Sequence, residues 1–369
     1  MNNQEKTTPC FTIGNSLSSQ MKYDLVRSIG EECIQEDELR SLFDKVDQPI
    51  AYDGFEPSGR MHIGQGILRV INTNKMTKSG CKFRFWVADW FAQLNNKMDG
   101  NLEKIRTVGK YMIEIWKAVG MDLENVEFLW ASDEINARPA EYWGRVMEIA
   151  RLNNVSRIKR CCTIMGRSED GDNMSSAQIF YPCMQAADIF FLKAHICQLG
   201  MDQRKVNMLA REYCDMTKPK IRFKPIILSH HMIMGLKKDQ EKMSKSDPDS
   251  AIFMEDSETD VIRKIRGAYC PEGEEDFDKN PVIDYIKHIV FGYYGYFEVF
   301  NKENELIKRY EDFESFEEDY KNKVLHPSVV KPSLAKAINS IIEPVRKHFE
   351  KDVEAKALLE KVKSYKVTK

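Results

Sequence analysis

An α/β fold with a doubly wound parallel sheet, followed by an all-helical second domain, is what this 369-residue sequence predicts. Three observations lead there. Short apolar strand patterns alternate with amphipathic helix patterns from Pro49 to Tyr213, as βαβ units on a parallel sheet require. Beyond Asp256 the helix patterns continue with no convincing strand between them, which puts a boundary near residue 250. The length also exceeds the roughly 100–200 residues of one ordinary domain.

The elements follow in order. Residues 1–20 are polar and read as a tail, lacking the charged start and apolar block of a secretory signal. Apolar and charged positions recur at helical spacing from Tyr23 to about Val46, predicting one helix. Pro49–Phe55 reads as a buried strand, and Glu56-Pro57-Ser58-Gly59 as the turn after it. A helix begins near His62 and stops at Gly80, and Lys82–Ala88 is the next strand. Asn101 caps a helix whose Ile105, Val108, Met112, Ile115, Trp116 and Val119 make one stripe. Val126–Trp130 is a further strand. A helical insertion occupies about 140–180, and its stretch Glu141–Ser168 carries Arg151, Arg157, Lys159, Arg160 and Arg167. Strand and helix patterns return from Ala194 to Tyr213. The sheet domain thus spans 21–250. In the helical domain, 251–369, Ser257–Tyr269, Pro281–Phe300 and Ser333–Phe349 read as helices, and Lys351–Lys369 as a solvated one.

Composition narrows the function. Lys+Arg 55 against Asp+Glu 57 leaves a formal net charge of −2, which excludes a polycation that coats nucleic acid but not a local basic face. No apolar run approaches the ~20 residues of a membrane helix. The nine cysteines include the neighbours Cys161 and Cys162 but no C-x-x-C unit. Neither zinc spacing nor a disulfide framework is present, so the thiols read as small buried side chains in a reducing compartment.

Three segments carry chemistry. The first is Pro57-Ser58-Gly59-Arg60-Met61-His62-Ile63-Gly64-Gln65-Gly66, between a strand and a helix. Backbone N–H groups at a helix start favour anions, and glycines let a flat or phosphorylated ligand approach. The plain alternative is a glycine-softened helix start with a surface histidine. The second is Lys242-Met243-Ser244-Lys245-Ser246, in which two lysines three apart can close over a triphosphate. Alone it would read as a solvated turn. The third is the apolar run Tyr181–Leu192, with Pro182 predicted at the helix start. Tyr181, Gln185 and Asp188 fall at i, i+4 and i+7, on one face. Polar groups on a buried face need partners, either neighbouring side chains or a ligand. Just beyond, Asp202 either caps the helix after Gly200 or accepts from a ribose.

His62-Ile63-Gly64-Gln65 followed by Lys242-Met243-Ser244-Lys245-Ser246 resembles the paired signatures of class I aminoacyl-tRNA synthetases, with Gln65 where a second histidine is usual. Tyr181, Gln185 and Asp188, with the run Asp202-Gln203-Arg204-Lys205 and Tyr52, resemble the amino acid pocket of the archaeal and eukaryotic tyrosyl-tRNA synthetases, over residues 23–349. The resemblance implies a Rossmann-like catalytic domain, a helical anticodon-binding domain, a homodimer and a cytoplasmic setting. It implies L-tyrosine, ATP with Mg²⁺ and tRNA(Tyr) as ligands, with no metal site of the protein's own. Tyr52 and Asp188 would bind the phenol. Tyr181, Gln185 and Gln203 would bind the ammonium group. Gly54, His62, Gly64, Gln65, Gly200, Asp202, Ile233 and Lys245 would hold ATP, while His62, Lys242 and Lys245 stabilise the transferring phosphate. Asp89 would support from behind the pocket, with Phe91 where the family often has histidine.

For RNA, the resemblance puts the basic stretch Arg157–Arg167 near the acceptor stem and the dimer contact; a solvated basic face is the equal alternative. His326-Pro327-Ser328-Val329 carries Val329 where an anticodon-reading aspartate is usual. A tryptophanyl enzyme shares both signatures, but Asp188 and the Asp202–Lys205 run favour tyrosine. A small nucleotidyltransferase would not need so large a helical domain. A non-catalytic RNA-binding descendant would have no use for Lys242, Lys245, Tyr181 and Asp188.

Overall fold

The computed structural model describes residues 17–165, 174–240, 243 and 247–365. Six strands form the main sheet: β1 (Gly30–Ile34), β2 (Ile50–Phe55), β3 (Lys82–Val87), β4 (Val126–Trp130), β5 (Ile196–Gly200) and β6 (Ile226–His230). Their spatial order is β1-β6-β5-β2-β3-β4. From β6 to β4 the strands are parallel, and β1 alone runs antiparallel along β6. The chain winds outward from β2 through β3 to β4, then returns to lay β5 and β6 on the other side. The order therefore reverses between β2 and β5, and ligands of such sheets bind at the carboxyl ends of the strands at that point.

Side-chain alternation explains why the sheet is covered on both faces. Phe55, Phe83, Phe85 and Val87 join one apolar cluster, whereas Tyr52 and Trp86 join the other. Phe85, Trp116 and Phe128 stack with ring centroids 5.0–5.8 Å apart on the first face. That cluster runs on without a break into Val282, Ile286, Leu334, Ile338 and Phe349 of the C-terminal region. The second face is closed by helices Pro139–Leu152, Val155–Lys159, Ser176–Phe191 and Arg204–Met216.

Most expected elements form where the patterns put them. Asn101 caps helix Leu102–Ala118 by accepting from the Lys104 N–H at 3.0 Å, and Gly80 and Gly120 take the left-handed conformation that ends their helices. Three expectations need correcting. The single helix over 23–46 is two, Ser19–Arg27 and Glu36–Lys45, with β1 between them. Pairing of Gly30–Ile34 with β6 overrides the helical periodicity, and Gln35 turns the chain at φ 66°. Pro182 is interior, because the helix starts at Ser176 under a Ser175/Gln178 capping box. The carbonyl of Gln178, which a residue with an N–H at 182 would engage, instead accepts the Cys162 thiol at 3.1 Å. Finally, the C-terminal region is helical apart from a hairpin, β7 (Phe297–Phe300) with β8 (Leu306–Tyr310). The helix expected to Phe300 ends at Tyr294, where Gly295 has φ 78°.

Cys33, Cys81, Cys161, Cys162, Cys183, Cys197, Cys214 and Cys270 are free thiols, all buried or half-buried. Among the described residues no helix is long and apolar enough to cross a membrane.

Candidate active site

A cavity of about 360 Å³ opens at the carboxyl ends of β2 and β5. Its lining contains Tyr52, Gly54, His62, Gly64, Gln65, Tyr181, Gln185, Asp188, Gly200, Asp202, Gln203 and Ile233, twelve residues that the sequence singled out from five separate stretches. Met243 also lines it, whereas Lys242 and Lys245 lie outside the described residues.

The pocket helix Ser176–Phe191 supplies one wall. Asp188 is buried, and its Oδ1 accepts the Tyr142 hydroxyl at 2.8 Å while Oδ2 has no hydrogen-bond partner. Burial pushes this carboxyl well above the usual carboxylate range, with Tyr142 and Trp86 pulling the other way. Tyr52 is fully buried opposite, and burial together with the nearby Asp188 carboxyl holds its phenol neutral. Its ring and hydroxyl line the cavity together with Asp188. One polar atom, Asp188 Oδ2, thus lacks a partner in an apolar wall. Such a vacancy costs about 1–3 kcal/mol unless a ligand fills it.

Further along the helix, the Tyr181 hydroxyl donates to Glu56 Oε1 at 2.5 Å. Gln185 Nε2 donates to Gln203 Oε1 at 3.0 Å, and Gln203 Nε2 donates to the Ile164 carbonyl at 3.2 Å. Phe91 meets Tyr181 edge to face, with centroids 5.0 Å apart. This corner gathers a carboxylate, amide oxygens and a phenol oxygen, a set suited to a cation. Sequence reasoning missed Glu56, Asn95 and Tyr142. Glu56 had one signal, its place directly after a strand in the loop where ligands bind. Asn95, which donates to both Glu56 oxygens at 3.1 Å, and Tyr142 had none.

The other end is built on glycine and backbone. The His62 ring acts at the helix start: the Gln65 N–H donates to His62 Nδ1 at 3.3 Å, and the N–H groups of Gln65 and Gly66 bond the His62 carbonyl at 3.0 Å. Gly64–Leu68 then form a π-turn, a local geometry common at functional sites. A side chain at Gly64 would press on Ile233, one at Gly200 on Met232 and Asp202, and one at Gly66 would collide with Met254. Gln65 Oε1 is buried without a hydrogen-bond partner. Arg69 Nε pairs with Asp53 Oδ2 at 3.0 Å, yet burial still lifts the Asp53 carboxyl to about 6. Asp202 does not occupy an N-cap position, since Gly200 and Gln203 are the N-caps of the two helical segments that start here. His231, at the cavity edge, bonds Asp284 Oδ1 at 2.6 Å and Glu31 at 2.5 Å, and stacks on His288.

Asp89 stands behind the cavity. It accepts from the Trp90 N–H, from the Ser132 N–H and hydroxyl, and from Arg106, which joins the starts of two helices. In the basic stretch, Arg157 is already held by Glu212 and the Cys161 sulfur, whereas Arg151, Lys159 and Arg160 are exposed and Arg167 is outside the described residues. Val329 packs against the apolar core and His326 caps its helix.

Comparison with known proteins supplies a further finding. Residues 45–343 match the family described as tRNA synthetases class I (W and Y). The chain is similar to tyrosine–tRNA ligase 1, cytoplasmic, of Arabidopsis thaliana, with 59% identity over 95% of this chain and 90% of that protein. Among solved structures, it is similar to Leishmania major tyrosyl-tRNA synthetase in complex with tyrosinol (TM-score 0.89, 52% identity), covering 95% of this chain but only 53% of that one. It is also similar to Pyrococcus horikoshii tyrosyl-tRNA synthetase complexed with L-tyrosine (TM-score 0.85, 31% identity), covering 94% and 100%.

Proposed function

The chain belongs to the tyrosyl-tRNA synthetases of class I, and on that premise we propose that it activates L-tyrosine with ATP and transfers it to tRNA(Tyr) in the cytoplasm. One observation carries the reading. A single cavity is lined by Tyr52 and by Asp188, whose Oδ2 lacks a partner, and also by the glycine-and-histidine cradle, so an aromatic alcohol and a nucleotide would meet inside it.

Tyr52 and Asp188 bind the phenol, filling the open valence of Asp188 Oδ2. Tyr181, Gln185 and Gln203 receive the ammonium group, with Glu56 behind Tyr181 holding its hydroxyl. The tyrosine carboxylate then attacks the ATP α-phosphate in line, without a covalent enzyme intermediate. Positioning and charge stabilisation lower the barrier. Gly54, Gly64, Gln65, Gly200 and Ile233 shape the nucleotide wall, and Asp202 accepts from the ribose. His62, Lys242 and Lys245 are assigned to stabilise the charge that develops on the phosphates. ATP enters as its Mg²⁺ complex, the metal held by the phosphates; Asp53, a carboxylate of the cavity wall, is engaged by Arg69. The tyrosyl group finally passes to the terminal ribose of the tRNA, with the basic stretch near its acceptor stem and the region after residue 250 on its anticodon arm.

A homodimer fits the same reading. Met147, Val155 and Phe180 are exposed by 65%, 62% and 53% on three packed helices of one layer, an apolar face that a second copy would cover.

ATP–pyrophosphate exchange with single amino acids tests the assignment. Tyrosine is expected to drive exchange and tryptophan is not; exchange with tryptophan alone overturns it. Lys245→Ala is expected to lower the adenylate-forming rate by roughly 10²-fold, and an unchanged rate would remove that lysine from the mechanism.

A further inference from the structure

Arg60 stands within the first signature, two residues before His62, and nothing in the reaction above uses it. Its guanidinium leaves the cavity and enters a cluster of charges: Nε to Glu255 Oε1 at 2.5 Å and Nη2 to Asp256 Oδ1 at 2.9 Å. Asp256 Oδ2 is held in turn by Lys264 Nζ at 2.5 Å and by the Phe253 N–H at 2.9 Å. The side chains of Glu255, Asp256 and Lys264 are only 2–5% exposed. The two cations and two anions balance.

The cluster is threaded through the backbone that carries His62. The Met61 N–H bonds the Tyr111 hydroxyl at 3.3 Å, and that hydroxyl donates to Glu255 Oε2 at 2.9 Å. On either side of His62, the Met254 N–H bonds the Met61 carbonyl at 2.9 Å and the Ile63 N–H bonds the Ile252 carbonyl at 2.8 Å. The ring of Phe253 lies under the Arg60 guanidinium, 4.2 Å from its centroid. Lys264 also bonds the Ala251 carbonyl at 2.9 Å, and Arg346 of the long helix Pro327–Lys351 bonds the Asp256 carbonyl at 3.0 Å. Segment 251–256 is therefore gripped by His62's backbone on one side and by the C-terminal region on the other.

We infer that Arg60, Glu255, Asp256 and Lys264 are positioning residues that set His62 for adenylate formation and tie its place to that of the C-terminal helices. A solvated salt bridge could be lost at little cost, but here removing one member leaves a buried charge uncompensated and frees the backbone beside His62. A displacement of about 1 Å at a catalytic group is enough to cost on the order of 10²-fold in rate.

The inference rests on the tyrosine-activation reading, and the experiment separates the two. Pyrophosphate exchange and thermal midpoints are measured on the full chain for Arg60→Met, for Arg60→Met with Glu255→Gln, and for both in a His62→Asn background. Arg60→Met is expected to lower kcat by roughly 10- to 100-fold with the tyrosine KM changed less than about twofold. The double variant keeps the remaining charges balanced, so it is expected to regain thermal stability but not rate. With His62 already replaced, the same changes are expected to cost little more, as for residues acting through one group. A double variant with the wild-type rate, or equal losses in both backgrounds, would overturn the inference. A wild type that exchanges nothing with tyrosine would overturn the functional reading and this inference with it; an active wild type equalled by its variants would overturn this inference alone.

Discussion

Asp188 has one oxygen satisfied by Tyr142 and one left open in a buried wall. Side chains are placed so at some cost to the free protein, and the cost is recovered when a hydroxyl docks there. Asp188→Asn is therefore expected to reduce kcat/KM for tyrosine by roughly 10- to 100-fold, from a lost hydrogen bond to a charged or acidic partner of about 1.5–3 kcal/mol. Tyr52→Phe is expected to act in the same direction. Exchange kinetics with tyrosine and phenylalanine check both, and a variant that still discriminates like wild type would move the phenol site elsewhere. Of this site, the polar row Tyr181, Gln185 and Asp188 was legible because helical periodicity puts i, i+4 and i+7 on one face. Tyr142 and Asn95 were not, because their partners are distant in sequence and only the fold brings them together.

Elements meet at defined latches, and one of them titrates. The residue after β6, His231, bonds Asp284 of helix Pro281–Tyr285 and Glu31 of β1. Burial lowers its pKa, but the hydrogen bond and charge of Asp284, with Glu31, outweigh that and raise it above 6.5. The stacked His288 is driven down to about 4, by burial first and by His231 second, so it stays neutral near pH 7. A group whose pKa rises on folding contributes stability that is complete below the unfolded value and fades as pH climbs through the folded one. The thermal midpoint of the wild type is thus expected to fall, as pH rises above about 6.5, by more than that of Asp284→Asn, which lacks the partner. Parallel slopes would show that the latch contributes nothing. The strand β1 that carries Glu31 was illegible, since its five residues lie inside a helix-like pattern and gain strand form only by pairing with β6.

At the scale of the whole molecule, the apolar cluster continues from the sheet into the C-terminal helices, while Met147, Val155 and Phe180 stay exposed on the helices that cover the second cluster. Met147, Val155 and Phe180 are expected to be the core of the homodimer contact. Met147→Glu combined with Phe180→Glu should convert a dimer to a folded monomer in analytical ultracentrifugation, with its helical circular dichroism retained. A dimer that survives both charges would place the contact on another surface.

Composition, periodicity and motif order were enough to determine the α/β class, the helical character of the C-terminal region and many of the residues that line the cavity. These are local properties: a strand's alternation, a helix's stripe, or a glycine beside a histidine can be read within a dozen residues. Tertiary structure alone decided which of them share a space. It brought Tyr52 of one strand, Gly200 of another and Asp188 of a helix to one cavity, because the strand order reverses between β2 and β5. It also turned Arg60 away from that cavity and toward Glu255 and Asp256, nearly two hundred residues on. Partners at that separation are chosen by the packing of the whole chain, and no window of sequence contains them both.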